Sequence, residues 1–251
     1  MIRTSLTLIN WRVGLLLSFI AGSLFWLFTL DPIPQNPAYH AFADSGSWFG
    51  IPNTWNVISN VPFLIAGFWG VHMVLSLKDQ RSYTGWLVLF VGICFVSFGS
   101  AYYHWNPSND SLVWDRLPMT VGFMGLFVAL TGEYVGQKWI RILLVPAIVI
   151  GASSVLVWHL TDDLRFYAWV QGMPLGVVAI YLLVFKSAYS HTWTLAIALS
   201  AYILAKVVES YDVEVFDMIA LSGHSLKHLL AATGCFLLVS YIQHRGPRQN
   251  A

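Results

Sequence analysis

The chain has 251 residues, of which 57% are hydrophobic and only 10% charged, with a formal net charge of +1. A soluble domain carries about 25% charged residues, so a water-exposed globular enzyme is excluded. Disorder, which needs low hydrophobicity and high charge, is excluded with it. The small net charge argues against nucleic acid as a partner, and 16% aromatic residues with 12 Trp suit rings at two membrane interfaces. The remaining class is an all-α polytopic membrane protein, read as one membrane domain over 1–251.

A membrane-spanning helix needs about 20 mostly apolar residues. Eight stretches qualify: 11–30, 54–77, 84–104, 115–135, 138–158, 166–185, 192–210 and 220–243. The first follows Arg3 and Arg12 but has no small-x-small motif before Asp31, so it reads as an uncleaved anchor and not as a signal peptide. Residues 31–53 form the one long connection, rich in Pro, Gly and Asn, and 54–243 hold seven further spans before a short tail at 244–251. Short polar breaks such as Lys78-Asp79-Gln80-Arg81 and Thr161-Asp162-Asp163 separate the spans. Cys94 and Cys235 fall inside apolar runs and read as small buried residues.

Cations set the orientation. With the N-terminus in the cytoplasm, Arg3, Arg12, Lys78, Arg81, Lys138, Arg141, Lys186, Arg245 and Arg248 all fall on the cytoplasmic side. The acids do the reverse, since only Asp79 and Glu133 lie inward. Both termini inside requires an even number of spans, which eight satisfies.

Ionisable residues within spans are costly and point to function. One cluster lies at the outer end of the third span, where Ser100 and His104 stand four apart and share a helix face. A hairpin containing Asn106, Pro107 and Asn109 returns Asp115 to the same depth. A second cluster opens the last span as Gly223-His224-Ser225-Leu226-Lys227-His228. His224 and His228, four apart, put two imidazoles on one face, where both reach one metal. Three histidines at one depth with an open fourth position describe a catalytic zinc site. Iron or copper would also accept imidazole, but zinc suits hydrolysis without redox chemistry. His40, His72, His159, His191 and His244 lack such company and read as interfacial or loop histidines.

Other polar residues read as structural. Lys206 and Glu209 form a pair three apart on one face. Lys227 is expected to snorkel to the interface on a different face from the histidines. Asp212, Glu214 and Asp217 read as a solvated loop, one of whose acids is available to bond a ligand imidazole. Asn56 and Asn60 share a face and are placed to bond neighbouring helices.

Ser100-x3-His104, Asp115 eleven residues later and His224-x3-His228 near the C-terminus resemble the alkaline ceramidases. These belong to a wider superfamily of membrane hydrolases that includes the progestin and adiponectin receptors. Asn53-Thr54-Trp55-Asn56-Val57-Ile58-Ser59-Asn60 is similar to the Trp-Asn-x-x-Ser-Asn stretch that opens the first core helix of ceramidases. The resemblance runs from about residue 40 to 243. It implies a seven-helix core, zinc on His104, His224 and His228, Asp115 as acid/base and Ser100 as an auxiliary polar group. It also implies a lipid substrate drawn from the bilayer, ceramide or a related N-acyl lipid, cleaved at its amide bond. Ceramidases carry an acidic, calcium-associated segment before the first core helix. The corresponding region here, Phe42 to Trp48, holds one acid, and Asn53 stands where the family places a Glu. Asp44, Asn53 and Asn56 are a thin set for calcium, which favours several carboxylates, and otherwise form a structural polar site.

Two other functions compete. A non-catalytic seven-helix receptor would use the zinc to organise a ligand pocket, although the inner loops are too short for a signalling domain. A transporter would show an inverted repeat or helices broken at mid-membrane, and neither is evident.

Overall fold

The computed structural model describes residues 10–76 and 83–248. Arg3 and the Lys78-Asp79-Gln80-Arg81 break, part of the charge asymmetry, lie outside the described residues. In chain order the helices are α1 (Trp11–Thr29), α2 (Thr54–Ile58), α3 (Val61–Ser76), α4 (Tyr83–Trp105), α5 (Asn109–Tyr134), α6 (Lys138–Thr161), α7 (Arg165–Val184), α8 (Trp193–Glu209), α9 (Asp212–Ile219) and α10 (Gly223–His244). A 3-10 turn at Pro37–His40 interrupts the long connection, and no strand occurs among the described residues. The protein is an all-α polytopic membrane protein. Seven helices, with α2 and α3 taken together, are long and apolar enough to cross a membrane. The eighth, α8, has 17 residues and turns by 89° into α9. At 1.5 Å per residue it is about 26 Å long, the lower end of a spanning length. Large apolar side chains such as Phe25 and Leu183 face outward, as a lipid-facing surface requires.

Three expected boundaries shift for local reasons. The expected continuous span 54–77 breaks at Ser59–Asn60, between α2 and α3. There the polar side chains bond backbone carbonyls, Ser59 to Asn56 and Asn60 Nδ2 to Asn56. The fourth span begins at Asn109 instead of 115, because Ser108 and Ser111 form a reciprocal capping box. Asn109 is therefore helical, the hairpin is shorter than read, and Asp115 lies on the second turn of α5. The acidic stretch 212–217 is a short helix, α9, not a loop.

Among the described residues, α4 and α5 share the most extensive helix contact. Gly85, Gly92 and Gly99 recur every seven residues on α4, presenting bare backbone to α5. A Cβ at Gly99 would stand 2.0 Å from the Trp114 carbonyl oxygen, and one at Gly92 would stand 2.9 Å from the Gly122 nitrogen. Such close approach is how small residues join helices in lipid, where the hydrophobic effect does not drive association. Pro118 in α5 has no N–H for the Trp114 carbonyl, and this is the carbonyl against which Gly99 rests.

The additional helix, α1, docks at the edge on α7. Phe19 fills the space above Gly176, and Trp169 donates to Ser23 Oγ at 3.0 Å. The connection after α1 is tied across one end of the bundle. Leu164 N donates to Ile33 O at 2.8 Å, and Gln35 N to Asp162 Oδ1 at 3.0 Å. Asp163 accepts from Ile33 N and from Arg165. At the opposite end, the buried Glu133 carboxylate accepts from Trp86 Nε1 at 2.6 Å, from Tyr241 at 2.9 Å and from Arg245. That network ties α4, α5 and the end of α10 together.

Gly99→Ala is expected to cost about 1–3 kcal/mol of overpacking, read as a lower Tm in detergent. Gly22→Ala, with nothing within 4 Å of its Cβ, should leave Tm unchanged or slightly raised. The Arg165 guanidinium holds the Asp163 carboxyl below the usual carboxylate range. The tie to Ile33 is therefore fully present above the unfolded carboxylate value of about 4. It should be lost as pH falls through the lower folded value, seen as faster exchange of the Ile33 amide in acid.

Candidate metal centre

His104 ends α4, and His224 and His228 occupy the first two turns of α10. The long connection covers them from the end of the bundle. All three are buried, and each offers a ligand nitrogen within 4.8 Å of the others. Their ring centroids form a nearly equilateral triangle with sides of 4.7, 5.0 and 4.9 Å. The sequence-predicted histidines from two distant segments are thus brought together. Helix α10 begins where it does because Ser222 caps it, accepting from Ser225 N. Asp212 then takes the His224 amide at 2.7 Å and the Ala43 amide at 2.8 Å, joining α9, α10 and the connection.

The nitrogens facing one another suit a metal. His104 Nε2 and His224 Nε2 are 3.2 Å apart. Two ligands at 2.0–2.1 Å from a tetrahedral zinc stand about 3.3 Å apart. Ser59 Oγ bonds His228 Nδ1 at 2.8 Å, which leaves Nε2 for a metal and orients the ring. Glu209 Oε1 lies 3.7 Å from His224 Nδ1. Phe42 closes the site from the connection, with its ring centroid 4.7 Å from His104 and 4.6 Å from His224. The three-histidine cluster is therefore compatible with a metal such as zinc.

Lys227 corrects the sequence reading. It does not snorkel outward. Its Nζ donates to Glu209 Oε1 and to His224 Nε2, both at 2.8 Å. An imidazole nitrogen has one lone pair, so Lys227 and a metal cannot share His224 Nε2, and Glu209 remains as the partner of the lysine. Lys206 pairs with Glu209 as expected. The carboxylate facing a ligand imidazole is thus Glu209 and not one of the 212–217 acids. Asp212 holds the backbone of His224 instead.

Ser100, Asp115 and His228 line one cavity of about 230 Å³, together with Lys227, Glu209 and Arg116. Ser100 and Asp115 face this cavity from α4 and α5. A second cavity, of about 140 Å³ and almost wholly apolar, shares the Phe63, Val96 and Met119 walls and runs along Leu126, Leu130 and Leu238. Burial near Glu209 pushes the Tyr39 phenol well up, so it stays protonated and donates to Glu209 at 3.4 Å.

Of the three residues weighed for calcium, the Asp44 carboxylate and the Asn56 side-chain oxygen are engaged within the fold. Asp44 Oδ2 accepts the Trp55 and Asn56 amides, and its Oδ1 accepts from Gly46. Asn53 Nδ2 donates to the His104 carbonyl at 2.8 Å. Asn56 Oδ1 accepts from Ser222 and Ser225 of α10, at 3.0 and 2.7 Å, the interhelical tie that its position predicts. Together they dock α2 beside the histidines. His40, read as a plain loop histidine, bonds Tyr103 and Asn109 and fixes the connection over α4 and α5. Sequence reasoning gave Ser59 no role, although Asn56, Ser59 and Asn60 form a polar stripe at helical spacing ahead of an apolar run.

Comparison with models of known protein families and with curated proteins returned no match.

Purified protein should hold about one zinc per chain, and His104→Ala or His228→Ala should remove it, measured by mass spectrometry of the metal. Ser59→Ala should keep the site but weaken zinc by about 10–100-fold, read by chelator competition.

Proposed function

We propose that the protein is a zinc-dependent intramembrane hydrolase of the ceramidase type. It would cleave the amide bond of ceramide or a related N-acyl lipid to a free fatty acid and an amine. The carrying observation is the junction of three features: a three-histidine cluster, a polar cavity holding Asp115 and Ser100, and an apolar cavity that adjoins it. The order and spacing of the motifs, resembling alkaline ceramidases, support the same reading. The charge asymmetry of the sequence supports both termini in the cytoplasm and the site toward the outer, periplasmic or lumenal, face.

His104, His224 and His228 would hold the ion. Bound zinc supplies a Lewis acid and brings the pKa of water to about 7. Asp115 accepts a proton from the attacking water and delivers it to the leaving amine as the C–N bond breaks. Ser100 donates a hydrogen bond to the carbonyl oxygen as negative charge develops there. The adjoining apolar cavity holds the acyl chain and fixes the carbonyl beside Asp115. Burial beneath Phe42 and the connection keeps bulk water from competing for these hydrogen bonds.

Asp115→Asn should lower fatty-acid release by about 10²–10⁴-fold while zinc content stays unchanged, measured on a panel of ceramides and N-acyl lipids. Full zinc occupancy with no fatty acid released from any lipid by the unmodified protein would favour the receptor reading.

A further inference from the structure

Arg116 is a charged wall of the polar cavity that the proposed hydrolysis leaves unused. It follows Asp115 on α5 and is only 4% exposed. Its guanidinium lies 3.9 Å from the Trp158 ring centroid and 4.6 Å from that of Tyr167. Nη2 donates to Gln35 Oε1 at 2.6 Å, in the connection tied across that end of the bundle. Nη1 is buried with no hydrogen-bond partner. Among the described residues no carboxylate lies within ion-pair distance of Arg116.

Arginine stays charged in proteins, and a buried charge is strongly unfavourable unless it is paired. The cavity walls carry Arg116, Lys206 and Lys227 against Asp115 and Glu209. Three cations less two carboxylates leave one positive charge, with the histidines neutral. Glu209 is already engaged by both lysines, and Asp115 lies outside ion-pair distance of Arg116, so the buried guanidinium has no carboxylate of its own. Aromatic rings and Gln35 hold the guanidinium but supply no negative charge. A planar guanidinium with a free nitrogen matches a carboxylate, the partner its fork geometry recognises.

The place of Arg116 says which part of a substrate carries that carboxylate. Arg116 lines the polar cavity and not the apolar one. An acyl chain in the apolar cavity puts its carbonyl near Ser100 and Asp115, leaving the amine half for the Arg116 side. We propose that the amine half of the substrate bears a carboxylate paired with Arg116, so that the substrate class is an N-acyl amino acid. This rests on the hydrolase reading above. In the reaction, water adds to the acyl carbon and the C–N bond breaks. The water oxygen leaves in the fatty-acid carboxylate, and a proton goes to the amino acid's nitrogen.

The test compares N-oleoylglycine with N-oleoylethanolamine and its phosphate ester, which share one acyl chain. Binding is measured by calorimetry on metal-stripped full-length protein, where nothing is turned over. N-oleoylglycine is expected to bind about ten- to hundredfold more tightly than the ethanolamide, the strength of a charge-assisted bond. Arg116→Gln should erase that gap and Arg116→Lys should recover part of it. Equal binding of glycine and ethanolamine amides by the unmodified protein would overturn the proposal without any variant. So would a gap that persists in Arg116→Gln, or tighter binding of the phosphate ester than of the glycine amide. Fatty-acid release by the zinc-loaded protein separates the two readings. Arg116-dependent binding with no cleavage of any amide removes the hydrolase and keeps the carboxylate site. Cleavage of the ethanolamide as fast as the glycine amide keeps the hydrolase and removes the carboxylate.

Discussion

Within a bilayer no water is at hand to satisfy a buried polar group, so one left without a partner in the protein is costly. That constraint organises one end of this bundle around the approach of His104 to His224. An imidazole at the end of α4 and two more at the start of α10 meet only if both helices are held at a common depth. Asn56 does this from α2 by accepting two serine hydroxyls of α10, while Asn53 on the same segment holds the His104 carbonyl. Asp212 fixes the first turn of α10 to the long connection. The polar residues around the histidines are thus the framework that positions them, and the apolar helices supply the frame beneath.

The connection between α1 and α2 serves as a cover for the site. Its hydrogen bonds to the α6–α7 turn and to Asp212 hold Phe42 over two imidazoles and Gln35 against Arg116. A cover of this kind separates a metal site from bulk water while leaving the cavities between the helices. Charge follows the same division. The Lys206–Glu209–Lys227 group gathers beside the histidines, and Arg116 stands apart on a bed of aromatic rings.

Much of this was legible in the sequence. Span number and the three histidines follow from hydropathy and i,i+4 spacing, which are local properties of a helix. Helix ends depended on side-chain caps, and the Ser108–Ser111 box moved α5 forward by six residues. Lys227 shows where spacing fails. Three residues from His224, it shares that helical neighbourhood, and its direction was settled by Glu209 of α8, a partner 18 residues away in the chain. Arg116 failed to stand out for a similar reason. Its aromatic bed comes from α6 and α7, and its one hydrogen bond from the connection after α1. Such long-range partners have no signature in a single sequence.

The central claim is that His104, His224 and His228 hold one zinc through their imidazole nitrogens with a coordination position left open. X-ray absorption at the zinc edge of the purified protein tests it most directly. The account predicts three imidazole nitrogens at about 2.0–2.1 Å and one non-protein oxygen. Stoichiometric zinc with sulfur ligands, or zinc whose imidazole signal survives replacement of all three histidines, would contradict it.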